Sequence, residues 1–228
     1  MLKKLRLFLG LGAALLLLFM AARQYFGFHY LHKYQKLRAE ARSIERSFPL
    51  LEDALKKSIR FYKNPIFYKE LGRLYFERAL AENEFGTPEK REDYLDLAQN
   101  AFEAQIKRNP IDAWAYYDMG KVWMLFNYPL ATYAEKAGRC YRKALEFNPA
   151  NEFLNENILI TFMAQWDMLN DGERRFTFAQ LKKMAENNKG FIRRVRDRWV
   201  AGLGDDGRLK EILSKDQALW NRVKGDFN

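Results

Sequence analysis

The side chains best able to bind a metal or a haem iron are two histidines, His29 and His32, three residues apart. On a helix this spacing places both imidazoles on one face, where they could coordinate a metal or a haem iron. No carboxylate lies near them, the only cysteine is Cys140, and no Cys-x-x-Cys-His segment occurs. We therefore expect the histidines to pack at the level of lipid headgroups, and we predict no metal and no cofactor.

A second group that could bind a ligand is a set of four arginines close to Trp199. They are Arg193, Arg194, Arg196 and Arg198. Guanidinium groups beside an aromatic ring could contact anionic lipid or nucleic acid. Because Glu186, Asp197 and the Asp205-Asp206 pair lie nearby in the sequence, we instead expect a salt-bridged capping helix.

No catalytic motif is recognisable in the chain. It contains no Gly-rich phosphate loop, no Ser nucleophile motif and no zinc motif. We assign no catalytic residue and predict that the protein is not an enzyme. An active site built from scattered Asp, Glu, Lys and Tyr stays open as an alternative, and a deep pocket with strongly shifted carboxylates would indicate one.

The most informative pattern is an eight-residue phrase that occurs twice, 48 residues apart. The copies are Tyr68-Lys69-Glu70-Leu71-Gly72-Arg73-Leu74-Tyr75 and Tyr116-Tyr117-Asp118-Met119-Gly120-Lys121-Val122-Trp123. Each has an aromatic residue, an aliphatic residue three positions on, a glycine next to it, and a second aromatic residue. This spacing predicts one helix face, in which the glycine leaves a notch for close approach of a second helix. Repeated notched helices are typical of stacked helical arrays, which bind other molecules.

An uncharged run from Leu7 to Ala22 predicts a transmembrane helix. Nine of its sixteen residues are Leu or Phe, which favour insertion by roughly 3–5 kcal/mol in total. Large residues occupy the candidate cleavage positions, so we predict an uncleaved anchor over residues 1–23 and not a signal peptide. The residues expected at the membrane interface are Arg6, Arg23, Tyr25, Phe28 and Tyr30.

The basic residues of the chain are concentrated around this anchor. Residues 1–63 contain 13 Lys/Arg and 4 Asp/Glu, whereas the rest contains 26 and 25. Binding of nucleic acid would require the excess on the folded region, so we predict membrane lipid as a partner and no nucleic acid. The basic cluster before the span lies tighter against it than the basic residues that follow. We therefore expect a cytoplasmic amino terminus and a repeat domain on the outer, periplasmic face.

Proline and glycine positions divide the rest of the chain into helices, and no segment alternates long enough to be a strand. The predicted fold is therefore all-α. Residues 24–63 are expected to form basic membrane-proximal helices, with a new helix starting at Ser47-Phe48-Pro49. Residues 64–187 are expected to form helix pairs, and residues 188–228 two capping helices near 190–202 and 206–223.

The helix pairs resemble tetratricopeptide repeats. The notched helices resemble the first helix of that repeat, and the segment from Ala137 through Tyr141 to Asn148-Pro149 resembles the second. The resemblance implies an α-solenoid over residues 64–187. The repeat is normally about 34 residues long, but here the Asn-Pro pairs are 45 and 39 residues apart. The stretch from Ala104 to Pro110 also holds one residue more than that from Ala144 to Pro149. In the third helix pair, the first helix lacks the glycine.

The resemblance further implies a protein partner on a concave face lined by the first helices. The candidate contact residues on this face are Lys69, Arg73, Trp114, Tyr117 and Lys121. The three cations could hold carboxylates of a partner. Some members of the family clamp a terminal carboxylate with Lys and Asn, but Asp118 follows Tyr117 here, so we do not predict that clamp.

The predicted function is a membrane-tethered scaffold that docks a protein partner or assembles an envelope complex. The alternative is a structural accessory subunit of a large membrane machine, held mainly through the segment from Leu7 to Tyr30. Exchange of that segment for an unrelated anchor would distinguish the two, because only the alternative loses assembly.

Overall fold

The computed structural model describes residues 2–126, 134–188 and 190–227, with side chains from residue 9 onwards apart from 83–85 and 134. These residues form α-helices and short 3-10 turns without a strand, which confirms the predicted all-α class. The chain divides into two compact units, Met1–Ile111 and Asp112–Asn228. The first unit contains α1 (Leu2–Glu40), α2 (Ile44–Phe61), α3 (Pro65–Phe85) and α4 (Pro88–Arg108). The second contains α5 (Ala113–Phe126), α6 (Ala134–Phe147), α7 (Glu152–Ala164), α8 (Asp171–Asn187), α9 (Phe191–Leu203), α10 (Gly207–Ser214) and α11 (Gln217–Val223).

Helix α1 is one unbroken helix of 39 residues. Its first part is long and apolar enough to cross a membrane, and the apolar window is not buried inside the protein. Farther along, Gly27, Leu31 and Tyr34 are buried. The apolar stretch therefore continues, within the same helix α1, into the segment that packs against the rest of the unit.

The predicted start of the second helix at Ser47-Phe48-Pro49 was wrong. Helix α2 begins at Ile44, and Pro49 lies inside it. Phe48 and Leu51 are buried on the packed face of α2, so burial extends the helix across the proline. The ring of Pro49 is exposed, and the carbonyl that loses its N–H partner there can bind water.

Helices α3 and α4 form an antiparallel hairpin. The Asn64 side chain caps α3 by accepting a hydrogen bond from the backbone of Ile66 (3.0 Å), and Thr87 caps α4. Arg108, at the end of α4, lies over the ring of Tyr68 near the start of α3. These ends agree with the boundaries that the Asn-Pro and Gly-Thr-Pro signals predict.

Helices α5 and α6 form a second antiparallel hairpin in the other unit. The Asp112 carboxylate accepts a hydrogen bond from the backbone of Trp114 (3.0 Å) at the start of α5. Tyr116 packs on Phe147 near the end of α6, and Lys136 near the start of α6 lies over Trp123. Residues 130–133 of the predicted partner helix lie outside the described residues.

The last predicted helix, near 206–223, is two helices in the structure. Helix α10 ends at Ser214 and α11 begins at Gln217. Asp216 separates them, because its carboxylate accepts a hydrogen bond from the backbone of Leu219 (3.0 Å) and caps α11. The shorter helices bury Leu209, Ile212 and Leu219 in the core of the second unit.

Candidate partner-binding and membrane-facing surfaces

In both hairpins the glycine notch is filled by an aromatic ring of the second helix. A Cβ atom on Gly72 would come within 2.7 Å of the Phe102 ring, and one on Gly120 would come still closer to the Tyr141 ring. Both rings are almost fully buried. The predicted close approach is therefore present, and a ring is seated where a helix backbone was expected.

This pairing gives the register between the two hairpins. Phe102 precedes Pro110 by as many residues as Tyr141 precedes Pro149. Gln105, fully buried like Ala144, then takes the place of Ala144. The difference of one residue counted from Ala104 disappears when Gln105 is taken as the counterpart of Ala144, because the two second helices end in the same register.

The candidates in the first unit lie beside α1. Lys69 and Arg73 are both half-buried. The charged neighbours of the buried Tyr34 hydroxyl include Arg73, Glu70 and Glu77. Arg38 of α1 also forms an ion pair with Glu77 at 2.5 Å. Arg73 thus lies close enough to the Tyr34 hydroxyl of α1 to lower its pKa, a proximity that the sequence did not indicate.

The candidates in the second unit form an aromatic strip, made up of Trp114, Tyr117 and Phe153. The Trp114 ring lies 5.8 Å from Tyr117, edge to face, and 5.9 Å from Phe153. The Phe153 side chain is 50% exposed. Sequence reasoning missed it because the first helix of the third pair lacks the glycine. Its position, two residues after the capping Asn151, matches that of Trp114 after Asp112 and could have indicated it.

Cations flank this aromatic strip on two sides. Lys121 lies 5.2 Å from the Tyr117 ring centre and forms an ion pair with the buried Asp118 (2.8 Å). Arg198 lies 4.7 Å from the Phe153 ring centre. The strip therefore offers aromatic faces and positive charge side by side on one surface.

The predicted salt-bridged arginine cluster is confirmed in α9. The buried carboxylate of Glu156 binds Arg194 through one oxygen (2.7 Å) and Arg198 through the other (3.1 Å). The hydrogen bond to Glu156 raises the pKa of Arg194. Arg196 pairs with Asp206 at 3.0 Å, and Arg193 approaches Asp226 at 3.8 Å. The cluster holds α9 against α7 and the carboxyl-terminal residues.

Four of the five residues predicted at the membrane interface follow the apolar part of α1, and Arg6 precedes it. The side chain of Arg6 lies outside the described residues. Arg23 donates a hydrogen bond from Nε to the carbonyl of Phe61 (2.9 Å), and Tyr25 is 66% exposed. Phe28 meets Phe67 edge to face at 5.2 Å, and Tyr30 stacks on Phe61 at 5.6 Å. Phe28 and Tyr30 therefore also join α1 to the next two helices.

One of the two histidines packs against aromatic rings of α1. His29 packs between the rings of Tyr25 and Tyr30. Across the residues whose side chains are described, no group of three or more His, Cys, Asp or Glu is arranged to hold a metal ion.

No protein-family model matches this sequence, and no curated protein matches it significantly. The tetratricopeptide resemblance therefore stays a prediction. What can be said of function rests on the hairpin geometry, the aromatic strip and the apolar part of α1.

Proposed function

We propose that the protein is a non-enzymatic, membrane-tethered helical scaffold that binds a protein partner through the aromatic strip. The observation that carries this proposal is the contact of Trp114 with Phe153 beside two cations. Aromatic and arginine side chains are the residues that most often dominate binding energy at protein interfaces. In this proposal the partner contributes a segment with carboxylates next to apolar side chains.

The helical-repeat part of the proposal is supported by three equivalent helix starts. Asn64, Asp112 and Asn151 each accept a hydrogen bond from a backbone N–H at the start of a helix. Two residues after each cap stands a partly exposed apolar residue. These residues are Ile66, Trp114 and Phe153. Repetition of the same cap and the same exposed position supports a tetratricopeptide-like repeat of helix pairs.

The membrane part of the proposal is supported by the unbroken α1. Its apolar side chains are exposed along the first half, as at Leu15 and Leu18, which are 59% and 67% exposed. Exposed leucines on this scale are costly in water and favourable in lipid. In the proposed orientation the short basic amino terminus stays in the cytoplasm, and the chain that follows the apolar part of α1 lies on the outer face.

Site-specific crosslinking in native membranes tests the partner. A photoreactive residue replaces Phe153 in one full-length variant and Met168 in a control, because both side chains are 50% exposed in the same unit. We expect one discrete crosslinked protein at position 153 that is absent at position 168. With that protein purified, Phe153→Ser should weaken binding by about thirtyfold, the effect of losing a typical hot-spot residue.

Two results would contradict the proposal. Identical crosslinks at both positions would show that the strip is not a specific surface. Retained binding in Phe153→Ser, with assembly lost only when the segment from Leu7 to Tyr30 is exchanged for an unrelated anchor, would instead support the accessory-subunit alternative.

A further inference from the structure

Helices α1 and α3 run parallel and in a fixed register. Phe28 contacts Phe67, and Arg38 pairs with Glu77, so in both pairs the α3 residue lies 39 positions after its α1 partner. The end of α2 is held at the same level, because Arg23 donates a hydrogen bond to the Phe61 carbonyl. The turn between α2 and α3 therefore lies beside residues 23–27 of α1.

The end of α4 reaches this level as well. Arg108 lies 4.2 Å from the centre of the Tyr68 ring, and α4 is antiparallel to α3. The chain that follows α4, up to Ile111, is then level with the start of α3. We call residues 60–66 and 107–111 together the turn end of the first unit.

The turn end lies where the apolar part of α1 stops. The uncharged run ends at Ala22, and residues 23–27 rise roughly 7.5 Å beyond it. That distance is about the depth of the headgroup layer on one side of a bilayer. If α1 spans a membrane, the turn end is therefore placed among the headgroups.

The surface of the turn end fits this position. It exposes three cations, Arg60, Lys63 and Lys107, for which the described part of the chain provides no ion pair. It also exposes Ile66 (42%) and Ile111 (69%). No Asp or Glu occurs in residues 21–39, 54–69 or 104–111, so every charged side chain in these three segments is positive.

The opposite end of the same unit is different. There Arg78 forms ion pairs with Glu45 and Glu82, and the start of α4 contains both acidic and basic residues. The two ends therefore differ in their acidic residues, which occur at the opposite end and are missing from the segments that form the turn end.

We propose that the turn end of the first unit is a second membrane contact, in which Arg60, Lys63 and Lys107 bind anionic lipid headgroups while Ile66 and Ile111 enter the interface. This inference rests on the proposed function, since it requires α1 to span the bilayer. The apolar part of α1 and the turn end packed beside it then both contact the membrane. These two contacts fix the tilt of the first unit on the membrane. Each cation near an anionic surface strengthens association about fivefold.

Fluorescence quenching in vesicles tests the contact with the full chain. In a Cys140→Ala background, single cysteines at Leu15, Ile66 and Leu97 carry an environment-sensitive dye, and quenchers are attached to lipid at headgroup or mid-chain depth. Leu97 is the matched control, because its exposure of 41% is close to the 42% of Ile66 and it lies well away from the turn end on α4. We expect mid-chain quenching at 15, headgroup-level quenching at 66, and almost none at 97.

The three labels separate the two proposals. Absence of mid-chain quenching at position 15 would overturn the anchor and with it the proposed function. Mid-chain quenching at 15 with equal, weak quenching at 66 and 97 would overturn only the second contact. Because the vesicles contain no other protein, quenching at 66 supports lipid as the occupant.

Charge is tested by neutralisation. The triple variant R60Q/K63Q/K107Q should lose most headgroup quenching at Ile66 in vesicles with anionic lipid. The control triple variant R42Q/R46Q/K90Q removes three exposed cations from the opposite end of the unit. It should leave the headgroup quenching at Ile66 unchanged. Equal quenching in neutral and anionic vesicles, or equal loss in both triple variants, would overturn recognition of anionic headgroups.

Discussion

The hairpins α3–α4 and α5–α6 share one local design but have different surroundings. Each begins with an Asx cap, carries a glycine that faces a buried ring, and ends its second helix in the same register. In the first unit α1 contacts the first helix through the ion pair of Arg38 with Glu77. In the second unit the corresponding helix, α5, presents Trp114 and Tyr117 beside the half-exposed Phe153.

The difference shows that equivalent positions need not share a function. Arg73 and Lys121 follow the two notch glycines and look interchangeable in the sequence. Arg73 lies near the Tyr34 hydroxyl of α1 and lowers its pKa, whereas Lys121 lies over Tyr117 at the edge of the aromatic strip. The first hairpin therefore packs against α1, the helix that carries the apolar stretch. The second hairpin carries the candidate binding surface.

Removal of the rings should have the largest effect and tests whether the two notches are equivalent. Phe102→Ala and Tyr141→Ala should each lower the free energy of unfolding by about 3–5 kcal/mol, because each leaves a cavity against a glycine that cannot fill it. Thermal unfolding of the purified protein, followed by circular dichroism, measures both. Phe147→Ala, at a side chain that is 36% exposed on α6, should cost far less. A large loss for only one ring would break the equivalence.

The glycines should show the next largest effect. Alanine normally stabilises a helix by about 1 kcal/mol relative to glycine, and Gly202→Ala in α9, where nothing lies within 4 Å of the added Cβ, should do so. At Gly72 and Gly120 the added Cβ overlaps a buried ring. There we expect a net loss of about 1–2 kcal/mol from overpacking, larger at Gly120.

A double variant sharpens this comparison. Tyr141→Leu shortens the side chain in the notch, so Gly120→Ala should cost less in that background than in the wild-type protein. The coupling is read from the unfolding free energies of the four proteins. Strictly additive losses would show that Tyr141 does not confine the glycine.

The features that sequence reasoning found are those with local causes. The caps at Asn64 and Thr87, and the glycine notches, follow from side chains a few residues apart. The contact of α1 with α3 and the pairing of Glu156 with two arginines join residues far apart in the chain, and no local pattern encodes such pairs. The error at Pro49 has a related cause. Burial of Phe48 and Leu51 against other helices extends α2 across the proline and outweighs the local signal for a helix start.

The smallest expected effect concerns Cys140 and Ala101, which occupy matching positions just before Tyr141 and Phe102. Burial raises the pKa of the Cys140 thiol to about 11, against the opposite influence of Arg139 and Lys143. In the unfolded chain the pKa is about 8.5, so folding favours the protonated thiol. That stabilisation is complete below about pH 8.5 and is lost as the pH rises through about 11.

Alkylation by iodoacetamide, followed from pH 7 to 11, measures this shift, because the thiolate is the reacting species. The rate for the folded protein should keep rising about tenfold per pH unit in a range where the denatured protein has already levelled off. Cys140→Ala gives the second hairpin the residue that the first has at the matching position, Ala101. This substitution should change the unfolding free energy at neutral pH by less than about 0.5 kcal/mol. If folded and denatured protein react equally fast at pH 8, Cys140 is not sheltered as Ala101 is. The two second helices would then differ in burial as well as in sequence, and the structural equivalence of the hairpins would hold only at the notch.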